Sequence, residues 1–124
     1  MKLVTCKFHQ KVLVGAVVGD WLIPFDLNSM IDMPQILAGG PANQEKLQEK
    51  IDAGIDRVAL PDVTLLAPIL RPGKYFGVGL NYADHIAETG LQKPEFPTIF
   101  NKQSTCVIGP GQPIQRPRIS DKLD

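Results

Sequence analysis

The sequence predicts an α+β fold: an N-terminal β-meander with short helices, followed by further short strands. Three observations predict it. Residues 1–27 carry strand patterning broken by turn residues, the middle of the chain carries helical spacing with caps, and prolines crowd the remainder. Eight of the eleven prolines fall at 61, 68, 72, 94, 97, 110, 113 and 117. A proline lacks a backbone donor and clashes with the preceding helical turn. This density therefore excludes long helices and favours short strands joined by fixed turns.

Leu3–Phe8 is rich in strand formers, and Val4, Cys6 and Phe8 alternate onto one face. Val12–Val18 is a near-continuous apolar run, which suits a central strand covered on both faces. Gly19-Asp20 offers a two-residue hairpin turn, with glycine supplying a positive φ. Trp21–Phe25 makes a third strand, and Pro24 puts it at an edge or ends it. Asp32 caps a short helix that carries Ile36 and Leu37 and stops at Gly39-Gly40. Asn43–Ala53 is a second helix, capped by Asn43 and closed by Gly54. Its apolar stripe is thin, Leu47 and Ile51, so it lies on the surface.

Beyond Asp62 the expected strands are Val63–Leu66, Tyr75–Val78, Thr98–Asn101 and Cys106–Ile108. "RPGK" and "GPG" are turn chemistry. A soft boundary near residues 65–72 divides a small N-terminal α/β domain, 1–66, from a second domain, 67–124. The polar ending from Pro113 has no closing signal, so an open sheet edge is expected there.

Bulk properties exclude several functions. Lys plus Arg and Asp plus Glu number 13 each, and no two basic residues are adjacent, so nucleic acid is not an expected partner. Cys6 and Cys106 form neither a disulfide framework nor a zinc spacing, and are expected as reduced thiols in the cytoplasm. Lys7, His9, Gln10 and Lys11 interrupt the N-terminal apolar run before it can serve as a signal peptide. The Val12–Val18 run is too short to span a membrane.

The chemistry concentrates in "GVGLNYADHIAETG", residues 77–90. A strand enters, Gly77 and Gly79 allow a close turn, and Asn81 caps a helix with Asp84 at its third position. Gly90 ends that helix after about two turns, too few to be stable alone. His85 and Glu88 stand three apart, which puts their Cβ atoms roughly 5–6 Å apart on one face. A carboxylate fixes an imidazole's tautomer and supports the imidazolium it becomes. Such a pair can act as a base that activates water. Spacing alone fits an exposed helix pair better, worth a few tenths of a kcal/mol. A dinucleotide loop is disfavoured, because Tyr82 occupies the third glycine position of G-x-G-x-x-G and no βαβ unit is evident. Ser104-Thr105 near Lys102 could meet an oxyanion, but fits a solvated turn better.

"LLAPILRPGKYFGVGLNYADHIAETG", then "PEFPTIFNKQSTCVIGPGQPI" and "SDKLD", closely resembles the fumarylacetoacetate hydrolase family. The likeness is to its smaller members, 2-hydroxyhepta-2,4-diene-1,7-dioate isomerases and acylpyruvate hydrolases. It is dense from Leu65 to Asp124 and looser over residues 1–64. The resemblance implies that the second half begins a fumarylacetoacetase-type β-roll, left incomplete here. It also implies chemistry on 2-oxo or β-diketo acids: hydrolysis, isomerisation or decarboxylation with Mg²⁺ or Mn²⁺ as Lewis acid. It assigns water activation to His85 and Glu88, substrate alignment to Lys102, and pocket lining to Asn81 and Tyr82. Family members hold their metal on a Tyr-Glu-x-Glu-like segment after K-L-D and on a later aspartate. This sequence stops at Asp124, so no metal ligand is assigned within it and no cation is expected to bind the chain alone. Two functions follow as expectations. One is the N-terminal part of such an enzyme, a homodimer inactive by itself. The other is an inactive remnant serving as a folded dimerising or binding module.

Overall fold

The computed structural model describes residues 1–27 and 31–120. The "KLD" end of the motif and Asp124 lie outside the described residues. Strands β1 (Lys2–Phe8), β2 (Lys11–Val18) and β3 (Trp21–Pro24) form the expected antiparallel meander. Gly19 takes φ +57° in the second hairpin turn, a conformation that costs glycine nothing. Two-residue strands β4 (Val58–Ala59) and β5 (Thr64–Leu65) extend the sheet to the order β4-β3-β2-β1-β5. The long apolar strand β2 is thus central. Leu13, Val14, Gly15 and Ala16 are buried in succession, as a doubly covered strand requires. Pro24 ends β3, beyond the Trp21–Ala59 and Leu22–Val58 pairs with β4, so its missing donor interrupts no ladder there.

The sheet separates two apolar clusters, because neighbours along a strand point to opposite faces. Cys6, Leu13, Leu22 and Val58 pack on one face with Val4, Phe8, Leu27 and Leu65 beside them. Val14, Met33 and Ile36 pack on the other with Leu3, Phe25 and Ile31. Helix α1 (Met33–Ala38) supplies Met33 and Ile36 to this second cluster. Its capping box is complete: the Gln35 amide N–H donates to Asp32 Oδ1, and the Asp32 amide N–H donates to Gln35 Oε1, each at 2.9 Å.

Helix α2 (Gly40–Ala53) begins earlier than the expected Asn43. Pro41 lies in its first turn, where a fixed φ favours the helix and the absent N–H is no loss. Asn43 caps backwards instead: its Nδ2 donates to the Ile36 carbonyl oxygen, 3.0 Å away, near the end of α1. Gly54 closes α2 in the left-handed conformation, and Leu47 is its buried contact, as the thin stripe requires.

Two compact units emerge from the backbone contacts. One is Met1–Leu70 with the segment from Ile108, and the other is Arg71–Val107. In the second unit β6 (Phe76–Gly79) pairs antiparallel with β7 (Thr98–Asn101), and helix α3 (Ala83–Thr89) lies between them in sequence. No residue of 71–107 is buried. Cys106–Ile108 is not a strand. Ser104–Cys106 is a 3₁₀ turn in which the Cys106 amide bonds Gln103 O at 3.0 Å, a local bond that uses the donor a ladder would need. Gly109-Pro110-Gly111-Gln112 is the turn expected of "GPG": Gln112 N–H donates to Gly109 O, and Gly111 sits at φ +71°.

Candidate functional site

All five candidate side chains belong to the second unit, on β7's flank or between β6 and the end of α3. Leu80 makes the turn out of β6 at φ +50°. A leucine held there stores strain of about 1–3 kcal/mol, and such strain collects at functional sites. Asn81 and Tyr82 follow, and α3 starts at Ala83. The helix differs locally from the sequence expectation. Tyr82, not Asn81, occupies the cap position, and no side chain caps the helix. Asp84 is the second helical residue, one short of the reciprocal position of a capping box. Its carboxylate still lies near the positive end of the helix dipole. Gly90 closes α3 at φ +66°.

His85 and Glu88 stand on neighbouring turns of α3 and are both exposed. Among the described residues no hydrogen bond or ion pair joins them. The Tyr82 ring meets the His85 ring edge-on, with centroids 6.1 Å apart and planes at 63°. The single Thr89 Oγ1 proton is shared between the His85 carbonyl oxygen at 2.9 Å and Ile86 O at 3.2 Å, tightening the last turn of the helix. This imidazole is thus held at its backbone, flanked by a phenol, and exposed.

Lys102 is positioned by the ribbon. Its backbone N–H donates to Tyr75 O at 2.7 Å, continuing the β6–β7 pairing by one step. Its Nζ sits 5.7 Å from the centroid of the Phe100 ring. An exposed cation–π contact of this kind contributes about 0.5–1 kcal/mol. Phe100 in turn lies over its pairing partner Gly77, where an added Cβ would clash with the ring edge at Cζ, Cε1 and Cε2. Gly77 thus leaves room for the aromatic platform under Lys102, but it lies within β6 without a positive φ, so the turn expected of Gly77 and Gly79 is made by Leu80 instead. Phe100 and Leu80 escape sequence reasoning. The strand pairing that stacks Phe100 on Gly77 is non-local, and nothing in a leucine announces a positive φ. Among the described residues no three His, Cys, Asp or Glu side chains converge to hold a metal ion.

Residues 74–124 match the family model described as fumarylacetoacetate (FAA) hydrolase C-terminal. The chain is 37% identical over 111 residues to oxaloacetate tautomerase Fahd2a, mitochondrial, of Rattus norvegicus, covering 90% of this chain and 35% of that protein. It is 33% identical over 92 residues to oxaloacetate tautomerase fahd2, mitochondrial, of Xenopus laevis, covering 74% and 29%. Among solved structures it resembles maleylpyruvate hydrolase from Sphingobium sp. SYK-6, in complex with manganese(II) ion and pyruvate. That match has a TM-score of 0.62 at 26% identity and covers 95% of this chain and 43% of that one. The chain spans about a third of the length of these curated relatives.

Proposed function

The chain belongs to the fumarylacetoacetate hydrolase family, and from that premise we propose that it contributes the base and the substrate-aligning cation of an enzyme that hydrolyses or isomerises 2-oxo or β-diketo acids. The observation that carries this reading is α3 itself. A two-turn helix, led in by the strained Leu80, presents His85 and Glu88 on adjacent turns beside Tyr82. In the proposed hydrolysis His85 takes a proton from water as the water oxygen bonds to the substrate carbonyl carbon. The adjacent carbon–carbon bond breaks, its electron pair goes to the enolate, and the imidazolium returns the proton to that carbon. Glu88 supports the imidazolium while it carries the proton. The Lys102 ammonium pairs with the substrate carboxylate, and Asn81 and Tyr82 line the approach.

Members of this family use a divalent cation, and the maleylpyruvate hydrolase relative holds manganese. The described residues here form no carboxylate or histidine cluster fit to hold one, so no step above passes through a metal. The two free thiols suit a reducing compartment, for which we propose the cytoplasm, and no helix of the described residues is long and apolar enough to cross a membrane.

A second reading, a dimerising module, draws on one observation. Phe76, Val78 and Ile99 share a face of the β6–β7 ribbon and are 59%, 51% and 63% exposed. A second copy of the chain would cover that apolar face. Assay of an acylpyruvate with Mg²⁺ or Mn²⁺ separates the two when the chain is complemented with the metal-binding Tyr-Glu-x-Glu-like segment that the resemblance places after K-L-D. Turnover that EDTA abolishes and that His85→Ala lowers on the order of 10²–10⁴-fold upholds the enzyme. No turnover, with a dimer in sedimentation that Val78→Lys dissociates, upholds the module. Turnover unchanged in His85→Ala removes the base assignment.

A further inference from the structure

A cleft of about 550 Å³ opens at the β1–β2 hairpin end, lined by Phe8, His9, Gln10, Lys11, Leu13 and Leu27. Its volume lies within the range of small-molecule sites. The pairing register explains its two-sided chemistry. Phe8 opposes Lys11 and Cys6 opposes Leu13, so Lys11 projects from the same sheet face as the Cys6–Leu13 core cluster. Lys11 is exposed, so its aliphatic stem can lie along this apolar face while its ammonium reaches the mouth of the cleft. Here no carboxylate pairs with it among the described residues. Its Nζ donates one hydrogen bond, to Leu27 O at 3.3 Å, across the cleft. Two of its three ammonium protons are left for a ligand.

The neighbouring turn is strained in a way that serves the same cleft. His9 holds φ +51° at the first position of the two-residue turn, where glycine would be unstrained. That conformation sets its imidazole against the Phe8 ring, with centroids 4.2 Å apart. Strain that a glycine would relieve is kept, and it brings a second nitrogen donor to the cleft whose floor is Phe8, Leu13 and Leu27. Gln10 adds an amide donor beside it.

We propose that this cleft binds a small carboxylate with a short apolar tail, the carboxylate meeting Lys11 and His9 and the tail lying on Phe8, Leu13 and Leu27. The site is independent of His85 and α3, and stands whether or not the chain is catalytic. The test is an NMR titration of the isotope-labelled protein with hexanoate and, as the uncharged match, hexan-1-ol. Hexanoate should shift the Leu13 and Leu27 methyls and the His9–Lys11 amides saturably. Hexanol should bind at least about tenfold more weakly, as the loss of a charge-assisted bond implies. Lys11→Met should weaken hexanoate by about tenfold and leave hexanol unchanged. His9→Gly should raise the thermal midpoint while weakening hexanoate, a combination that a purely structural histidine would not produce. Equal binding of the two probes, no saturable shift at these residues, or undiminished hexanoate binding in both variants would overturn the proposal.

Discussion

Cys6 and Cys106 are both free thiols in opposite settings. Cys6 has no exposed surface and lies against Leu13 and Leu22, and burial pushes its pKa from 9.0 to about 11. A thiol with a raised folded-state pKa contributes stability that is present in full below pH 9.0. That contribution is lost as pH rises through the folded value near 11. Denaturation midpoints should therefore decline across that window, and Cys6→Ala should remove this component of the slope. Native protein treated with a thiol reagent at pH 8 should modify Cys106 quickly and Cys6 only on unfolding. Two equally fast equivalents would contradict the burial of Cys6. Gly77 makes a different point at this scale. Its lack of a side chain is what lets Phe100 lie across β6 beneath Lys102.

Helices α1 and α3 are nearly equal in length but rest on different supports. Helix α1 has a complete capping box, a proline in its first turn and two buried side chains. Helix α3 has no side-chain cap and no buried residue. Asp32→Ala removes the Oδ1 acceptor of the α1 cap, leaving only the bond from the residue 32 backbone N–H to Gln35 Oε1, and should cost about 1 kcal/mol in a urea titration, the usual loss for such a cap. A loss below a few tenths would show that packing of Met33 and Ile36 alone sets the helix. In α3 the Thr89 hydroxyl bonds and Gly90 are the main closures. A helix of this length gains little from propensity and depends on what packs against it. The role proposed for it, carrying His85 and Glu88, is consistent with low intrinsic stability, since ligand-binding elements are drawn from that end of the range.

The two units differ in how apolar surface is buried. Met1–Leu70 encloses Leu13, Leu22, Ile23 and Leu47 almost completely, and each such side chain contributes roughly 1.5–3 kcal/mol on burial. Arg71–Val107 has a two-stranded ribbon and one short helix, and Phe96, Ile99 and Tyr82 are 74%, 63% and 70% exposed. A two-stranded ribbon is marginal in water unless something covers it. Limited trypsin digestion should therefore cut first after Lys74 and Lys102, before any site within residues 1–70. Lys93 should resist because Pro94 follows it. Early cleavage at Lys46 or Lys50 on α2 would reverse this order of stabilities.

The meander, the central position of β2, the cap of α1 and the strand β7 were legible because each depends on neighbours in sequence. Alternation, an apolar run, an Asp ahead of a helical run, and β-branched residues after a proline all act locally. The motif carrying His85, Glu88 and Lys102 was legible in the same way, as a string of residue types in order. Non-local pairing decided the rest. The register of β1 on β2 turned Lys11 onto the core face, and the pairing of β6 with β7 set Phe100 over Gly77. Asn43 bonded back to α1 instead of starting α2, and Leu80 and His9 took conformations that their own side chains disfavour. Each of these outcomes depends on which distant backbone a residue meets. A sequence specifies its local preferences directly, but only the folded chain determines where those preferences are overruled.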